Sequence, residues 1–405
     1  MYIQQQCLFS FDEIMKLQPE TRLEKIFHTL DLSPIIDNFE KSSLGPNGYS
    51  MAAKLRALFA MVIERIPNFT ALTERLSQDP VFRFACGFPI ASQAPSVSTF
   101  SRLFKAISEN ELLEQYFQQL VSQLRKQGTI DGNCVAIDAT KLESRERAKP
   151  KKTIEQDGTQ PDWGSKKDSH GNQITWFGWK VHLAVDCKSE MPLAVNLTPA
   201  SRSDSMEALP LVEKVTAPLA KKDYPKHWTM DSGYDIKEIY ATLYHEYNSQ
   251  GIIPLNLRGA KMPPEGLDFN GTPICSGGYP MIYWGSDKNG CNKFRCPHVL
   301  GKVNCPHGLA WCSSSNYGLV VKTRVKDDPR RFNTPHRGSK NWTKIYNKRT
   351  SVERCFGRLK EYLSLKNLNV RGFKKVKARV LLSCIAMLST AMVSVFEPKV
   401  VKQVA

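Results

Sequence analysis

The sequence predicts an α/β protein: a mixed sheet flanked by helices, with an all-helical region before it and a small β/irregular, cysteine-rich insertion within it. Three observations lead there. Up to residue 130, apolar residues recur at helical spacing; from 131, strand-like runs alternate with helices. Residues 260–340 are rich in Gly, Pro, Asn and Cys and show no clear helix, which marks an insertion with its own fold and not a loop. The boundaries that follow are 1–130 for the helical part, 131–259 and 341–397 for the α/β core, and 260–340 for the insertion.

In the helical part, "AAKLRALFAMVIERI" and "NFTALTERLSQDPVFRFACGF" are amphipathic. "APSVSTFSRLFKAISENELLEQYFQQLVSQLRKQG" then begins a helix with Ser96 or Ser98 as N-cap. Its first turns bury Phe100, Leu103, Phe104 and Ile107 and leave Arg102 and Lys105 outside. Two short helices, a turn over 87–95 and this helix have the order of a helix-turn-helix, in which Arg102 and Lys105 would meet DNA. A bundle that only packs or dimerises is the alternative.

In the core, "NCVAIDAT" is a β-branched run carrying Asp138, and "TWFGWKVHLAVD" and "MPLAVNLTPAS" are two further strands across the turn "CKSE". "DSMEALPLVEKV" reads as a helix, "HWTMDSGYD" as a strand ending at Asp231, "IKEIYATLYHEYNSQ" as a helix and "GIIPLNLRG" as a fifth strand. Aspartates at the C-terminal ends of strands lie where open α/β sheets collect their sites, and carboxylates there suit Mg²⁺. Asp is also a routine turn residue, so the pair alone is a weak signal. His182, inside a strand, reads as structural.

"YNKRTSVERCFGRLKEYL" reads as one helix. At about 100° per residue, Tyr346, Arg349, Glu353 and Lys360 share a stripe about 60° wide, beside an apolar stripe of Val352, Cys355, Phe356, Leu359 and Leu363. One carboxylate flanked by a guanidinium, an ammonium and a phenol suits a metal-bound phosphodiester. The alternative is a solvated helix with an Arg349–Glu353 pair worth a few tenths of a kcal/mol.

Charge points the same way. The net charge is +17 with Lys+Arg 56 and Asp+Glu 39, and residues 1–130 are balanced, so the excess falls on the later part. Such an excess favours a polyanion, nucleic acid first. Basic runs over 340–379 and in "RERAKPKK" read as surfaces that track DNA. The start has no signal-peptide pattern, and Val380–Phe396, interrupted by Ser and Thr, reads as a buried core helix and not a membrane span.

Tyr346-x₂-Arg349-x₃-Glu353-x₆-Lys360 resembles the Tyr-Arg-Glu-Lys signature of bacterial insertion-sequence transposases of the DDE class. The likeness extends to "VAIDATKLES", "GWKVHLAVDCKSEMPLAVNLTPASRSDSMEALPLVE", "MDSGYD" and "YSMAAKLRALFAM…VSTFSRLFK", which is most of the chain. It implies an RNase H-like core in which Asp138, Asp231 and Glu353 bind two Mg²⁺ (or Mn²⁺) ions, with Tyr346, Arg349 and Lys360 on phosphates. It further implies binding of double-stranded DNA at the terminal inverted repeats, cleavage, joining to target DNA, a homodimer pairing two ends, no membrane association and a cytoplasmic, nucleoid-associated bacterial protein. Some relatives form a terminal hairpin and stack a displaced base on an aromatic of the insertion, for which Trp284 and Trp311 are candidates. A nuclease without strand transfer and a zinc-containing DNA-binding regulator are the rival readings.

The insertion holds Cys275, Cys291, Cys296, Cys305 and Cys312 with His298 and His307, and "CPH" twice. Cys291, Cys296, Cys305 and Cys312 make a chemically reasonable structural Zn²⁺ set, although no tight C-x-x-C knuckle is present.

Overall fold

The structure is a computed structural model that describes residues 9–39, 48–148, 158–167, 170–287, 289–308, 311–366 and 368–396. Residues 149–152 of the "RERAKPKK" run lie outside these. The chain opens with eight helices: α1 (Phe11–Leu17), α2 (Arg22–Thr29), α3 (Ser33–Ile36), α4 (Met51–Ile63), α5 (Phe69–Gln78), α6 (Pro80–Ala85), α7 (Val97–Ser108) and α8 (Leu112–Lys126). Helices α1 and α2 both start on a capping box, Ser10 with Glu13 and Thr21 with Glu24. Asn68 caps α5 through Ala71 N–H, and Asp79 caps α6 through Phe82 N–H. Residues 96–127, read as one helical run, divide into α7 and α8. Phe100, Leu103, Phe104 and Ile107 are buried while Arg102 and Lys105 are exposed, as the apolar spacing of α7 requires.

The sheet follows with β1 (Cys134–Glu143), β2 (Asp162–Lys167), β3 (Gln173–Asp186) and β4 (Pro192–Pro199). After α9 (Ala208–Thr216) come β5 (His227–Thr229), α10 (Lys237–His245) and β6 (Gln250–Ile252). The strand order is β2-β3-β1-β5-β6, with β4 also paired to β3. β3 runs antiparallel to β1, β2 and β4, whereas β1–β5 and β5–β6 are parallel. An antiparallel meander followed by two parallel strands reached through helices is the RNase H-like arrangement. The polar strand β2, "DWGSKK", has no apolar alternation to announce it; it is defined by its pairing with β3.

The insertion forms a three-stranded antiparallel sheet of β7 (Ile282–Ser286), β8 (Cys291–Arg295) and β9 (Val320–Arg324). Its buried Phe294 packs against His336 and Tyr283. The last helices are α11 (Lys340–Tyr346), α12 (Thr350–Glu361) and α13 (Phe373–Phe396). The stretch read as a single helix from Tyr346 stays helical, with a 3₁₀ turn over Asn347–Arg349 set between α11 and α12. Trp342 is buried and stacks on Tyr346 at 5.1 Å.

α13 is long and apolar enough, by composition, to cross a membrane, yet its most apolar window is 78% buried inside the protein. It packs against α2, α4, α7 and α8 and also against α12 and β4. One apolar core therefore runs from Leu23 and Phe59 through Val135 and Trp179 to Val352 and Leu388.

Candidate active site

β1 and β5 carry the two candidate aspartates side by side. Their parallel register pairs Val135 with Trp228 and Ala136 with Thr229. Asp138 and Asp231 each lie two residues beyond the last pair, so the parallel register brings them to the same level. Asp138 differs from its expected place at a strand end: β1 continues to Glu143, paired with β3, and only the pairing to β5 stops before it. Asp231 begins a 3₁₀ turn, and its Oδ1 accepts from Gly233 N–H at 2.8 Å.

The Asp138 carboxyl is pushed up to about 6, first by burial and then by the charge of Asp231, against a hydrogen bond from Ala139 N–H and the nearby Arg349. Tyr234 is buried beside the acids, and its hydroxyl has no hydrogen-bond partner among the described residues. Sequence reading passed over Tyr234, although "MDSGYD" places it three residues after Asp231.

α12 brings the third carboxylate. Val352, Cys355, Phe356, Leu359 and, just beyond the helix, Leu363 are buried, so the apolar stripe docks on β1 and β3 as its spacing requires. Glu353 stays exposed. Arg349, at the N-cap of α12, joins two of the acids. Its Nη2 lies 2.6 Å from Glu353 Oε1 and its Nη1 3.3 Å from Asp138 Oδ2. In the protein alone Arg349 makes the i,i+4 pair with Glu353, and its partly buried guanidinium also meets the partly buried Asp138, as charges drawn from water seek partners.

Lys360 donates from Nζ to Thr140 Oγ1 on β1 and is half-buried; burial, then Lys166 and Lys141, lower its affinity for a proton. Tyr346 is partly buried at the end of α11, its ring 6.0 Å from the Arg349 guanidinium carbon. Tyr346, Arg349, Glu353 and Lys360 thus keep to the side of α11–α12 near Asp138, across the 3₁₀ turn between the two helices.

Arg354 and Arg358, read as plain basic surface, both bind Glu190 of the β3–β4 turn. Glu190 holds φ +60°, a left-handed conformation unusual for a residue with a side chain. The turn is fixed by Asp186, fully buried, which accepts from Gly132 N–H and from the N–H and hydroxyl of Ser189. No local pattern announces a contact between residues so far apart in sequence.

Three carboxylates are hard oxygen donors of the kind Mg²⁺ and Mn²⁺ prefer. The space between Asp138 and Glu353 already receives a cation, the guanidinium, and the residues present therefore fit a divalent ion once Arg349 gives way. Among the described residues no three or more His, Cys, Asp or Glu are gathered as a metal group, the three carboxylates and the cysteines of the insertion alike. Cys291 opens β8 and Cys296 follows its last residue, so an extended strand, rising about 3.3 Å per residue, keeps the two apart. Cys291, Cys296, Cys305 and Cys312 are free thiols that do not converge.

Away from the acids, Arg102 donates to Ser98 O, and Lys105 lies 3.8 Å from Glu109; both project from α7 to solvent. Trp284 and Trp311 are exposed, Trp284 over the Arg295 guanidinium and Trp311 stacked on His307. His182 is fully buried, hydrogen-bonded to Thr198 and held neutral by burial, as a structural residue would be.

Among solved structures, the chain is similar to a piggyBac transposase synaptic complex with hairpin DNA, solved by cryo-EM. The identity is 11% and the TM-score 0.37, over 92% of this chain and 73% of that chain. The family described as "Transposase domain (DUF772)" matches residues 12–106. The family described as "Transposase DDE domain" matches residues 130–389, well over half of the chain, from β1 through Asp138, Asp231 and Glu353 into α13. The chain belongs to that family: it is a DDE transposase, an enzyme that cleaves and transfers DNA.

Proposed function

We propose that this transposase binds the terminal inverted repeats of its insertion sequence, cleaves phosphodiester bonds there and joins the ends to target DNA with two divalent metal ions. The observation that carries the reading is the gathering of Asp138, Asp231 and Glu353: adjacent parallel strands bring the aspartates level, and the glutamate reaches Asp138 through Arg349. Asp138, Asp231 and Glu353 would hold the ions. Bound Mg²⁺ or Mn²⁺ would supply Lewis-acid activation of water or a 3′-hydroxyl and stabilisation of the leaving oxygen.

The chain's own groups do the rest. Arg349 leaves the carboxylates for a phosphate oxygen, which replaces its two ion pairs with a charge-assisted contact. Lys360, tethered to Thr140, and the Tyr346 hydroxyl orient the same phosphate. Arg102 and Lys105 on α7 contact the repeat DNA, with the helices of residues 1–130 as the DNA-binding part and residues 131–259 with 341–397 as the catalytic part. Two copies pair the two ends.

Purified protein with duplexes carrying the element's terminal repeats and Mg²⁺ or Mn²⁺ tests this. The expected result is cleavage and strand transfer, both lost in Asp231→Ala and in Glu353→Ala. Unchanged activity in either variant would sink the assignment, and cleavage without joining would make the protein a nuclease.

A further inference from the structure

Arg379, on α13, is a buried cation with no anion beside it among the described residues. It is 4% exposed, and its Nη1 has no hydrogen-bond partner among the described residues. Burial alone lowers its proton affinity, to about 10; no neighbouring carboxylate contributes. A charge taken out of water without a partner is costly, so such a group normally marks a place where a counter-ion arrives.

Arg379 lines a cavity of about 200 Å³. The lining also includes the start of two helices, Phe69 and Thr70 of α5, ten residues long, and Val97 of α7, twelve residues long, beside the apolar Met61, Phe104 and Val370. Asn68 occupies one N–H of α5, that of Ala71. On α7 the N-cap Ser96 makes no side-chain cap; its hydroxyl meets those of Ser98 and Thr99 instead. Thr99 N–H donates to Ser96 O, which leaves the amides of Val97 and Ser98 as the donors of the first turn of α7 without a cap, and both helix dipoles present their positive ends. Asn369 completes the wall. Its Nδ2 donates to Pro67 O, and its buried Oδ1 lacks a partner among the described residues and suits a water or a protonated oxygen.

We propose that this cavity binds a phosphate group, held between the Arg379 guanidinium and the amino ends of α5 and α7. The volume admits a tetrahedral oxyanion, and helix N-termini with a guanidinium are its usual partners. Its source is either a backbone phosphodiester or free phosphate. The first follows if α7 lies on DNA through Arg102 and Lys105, and that part rests on the reading of the preceding section. A phosphodiester seated at the start of α7 would tie the helix to the backbone through a residue from the far end of the chain.

The test uses the full chain. Tm is measured in sodium phosphate and in sodium chloride at equal ionic strength, for wild type, Arg379→Met and Val97→Asp. The methionine removes the buried charge, while the aspartate sets a carboxylate at the amino end of α7, where the dipole welcomes it. Phosphate stabilises proteins generally, so the difference between proteins is what counts. The expected result is a larger phosphate-induced rise in wild type than in either variant; an equal rise in all three overturns the proposal.

Duplex binding as a function of salt then identifies the source. A backbone phosphodiester makes the log–log slope of Arg379→Met shallower by about 0.9, equally for repeat and random sequences. An unchanged slope with the Tm difference retained assigns the site to free phosphate. Should wild type bind no duplex at all, the DNA reading fails while the Tm comparison still reads the cavity.

Discussion

The acidity of Asp138 gives the sharpest test of the candidate site, because there function works against stability. Its carboxyl moves from 3.8 to about 6 on folding, chiefly by burial. That makes the ionised group about 3 kcal/mol less favourable folded than unfolded. The folded value is the raised one, so the penalty is absent below pH 3.8, grows as pH rises and is complete above 6. Asp138→Asn removes the titration and keeps an oxygen for the Ala139 N–H, while Arg349 keeps Glu353. In metal-free buffer the variant is expected to be about 3 kcal/mol more stable than wild type at pH 8. The gain shrinks to about 1.5 kcal/mol at pH 5 and to near zero below pH 4. It is also expected to be inactive, a trade of activity for stability. Urea unfolding in EDTA from pH 4 to 8 measures this. A loss of stability at pH 8, or a gain that does not change with pH, would refute the reasoning.

Further expectations concern the groups around that carboxylate. Arg349→Gln removes the guanidinium from between Asp138 and Glu353 and should tighten Mn²⁺ binding to the DNA-free protein; unchanged affinity by calorimetry or electron spin resonance would show that Arg349 does not compete. Glu190→Gln releases Arg354 and Arg358, loosens α12 and should lower kcat by about 10- to 100-fold with KM for DNA little altered. An effect confined to KM would instead assign the two arginines to DNA. Glu190→Gly, which suits φ +60° better, should lose the same activity while keeping its Tm. Arg330 holds the buried Asp235 at 2.9 and 2.5 Å, four residues after Asp231. Arg330→Ala leaves that charge unpaired and should cost about 3–5 kcal/mol in urea unfolding; a loss below about 1 kcal/mol would mean that Asn256 and Tyr240 suffice.

What was legible in the sequence were features that repeat along the chain. Five strands of the main sheet and the buried faces of α7 and α12 follow from periods of two and 3.6 residues; Asp138 was legible as a strand residue, but not that β1 runs on past it to Glu143. Features that depend on distant partners were not legible. β2 exists because β3 pairs with it, and the Arg349–Asp138, Arg358–Glu190 and Arg330–Asp235 contacts join residues with no local pattern in common. The 3₁₀ turn between α11 and α12 leaves no mark on helical periodicity either. The separation of Cys291 from Cys296 along β8 was hidden for a related reason: sequence spacing counts residues, whereas a ligand set depends on whether the backbone between them is extended or folded back.

α13 has a consequence for how the molecule is made. The partners of α2, α4, α7 and α8 include a helix that is made after all of them and after the whole sheet. Until Phe373–Phe396 is synthesised, the first helices lack the surface that covers their apolar faces, and nascent chains must wait partly assembled. An element copy truncated before α13 would lose more than its tail: it would strand the opening helices as exposed, aggregation-prone surface. The fold thereby couples the helices before the sheet to a helix after it, so a copy that stops short of α13 is poorly placed to survive as a DNA-binding fragment.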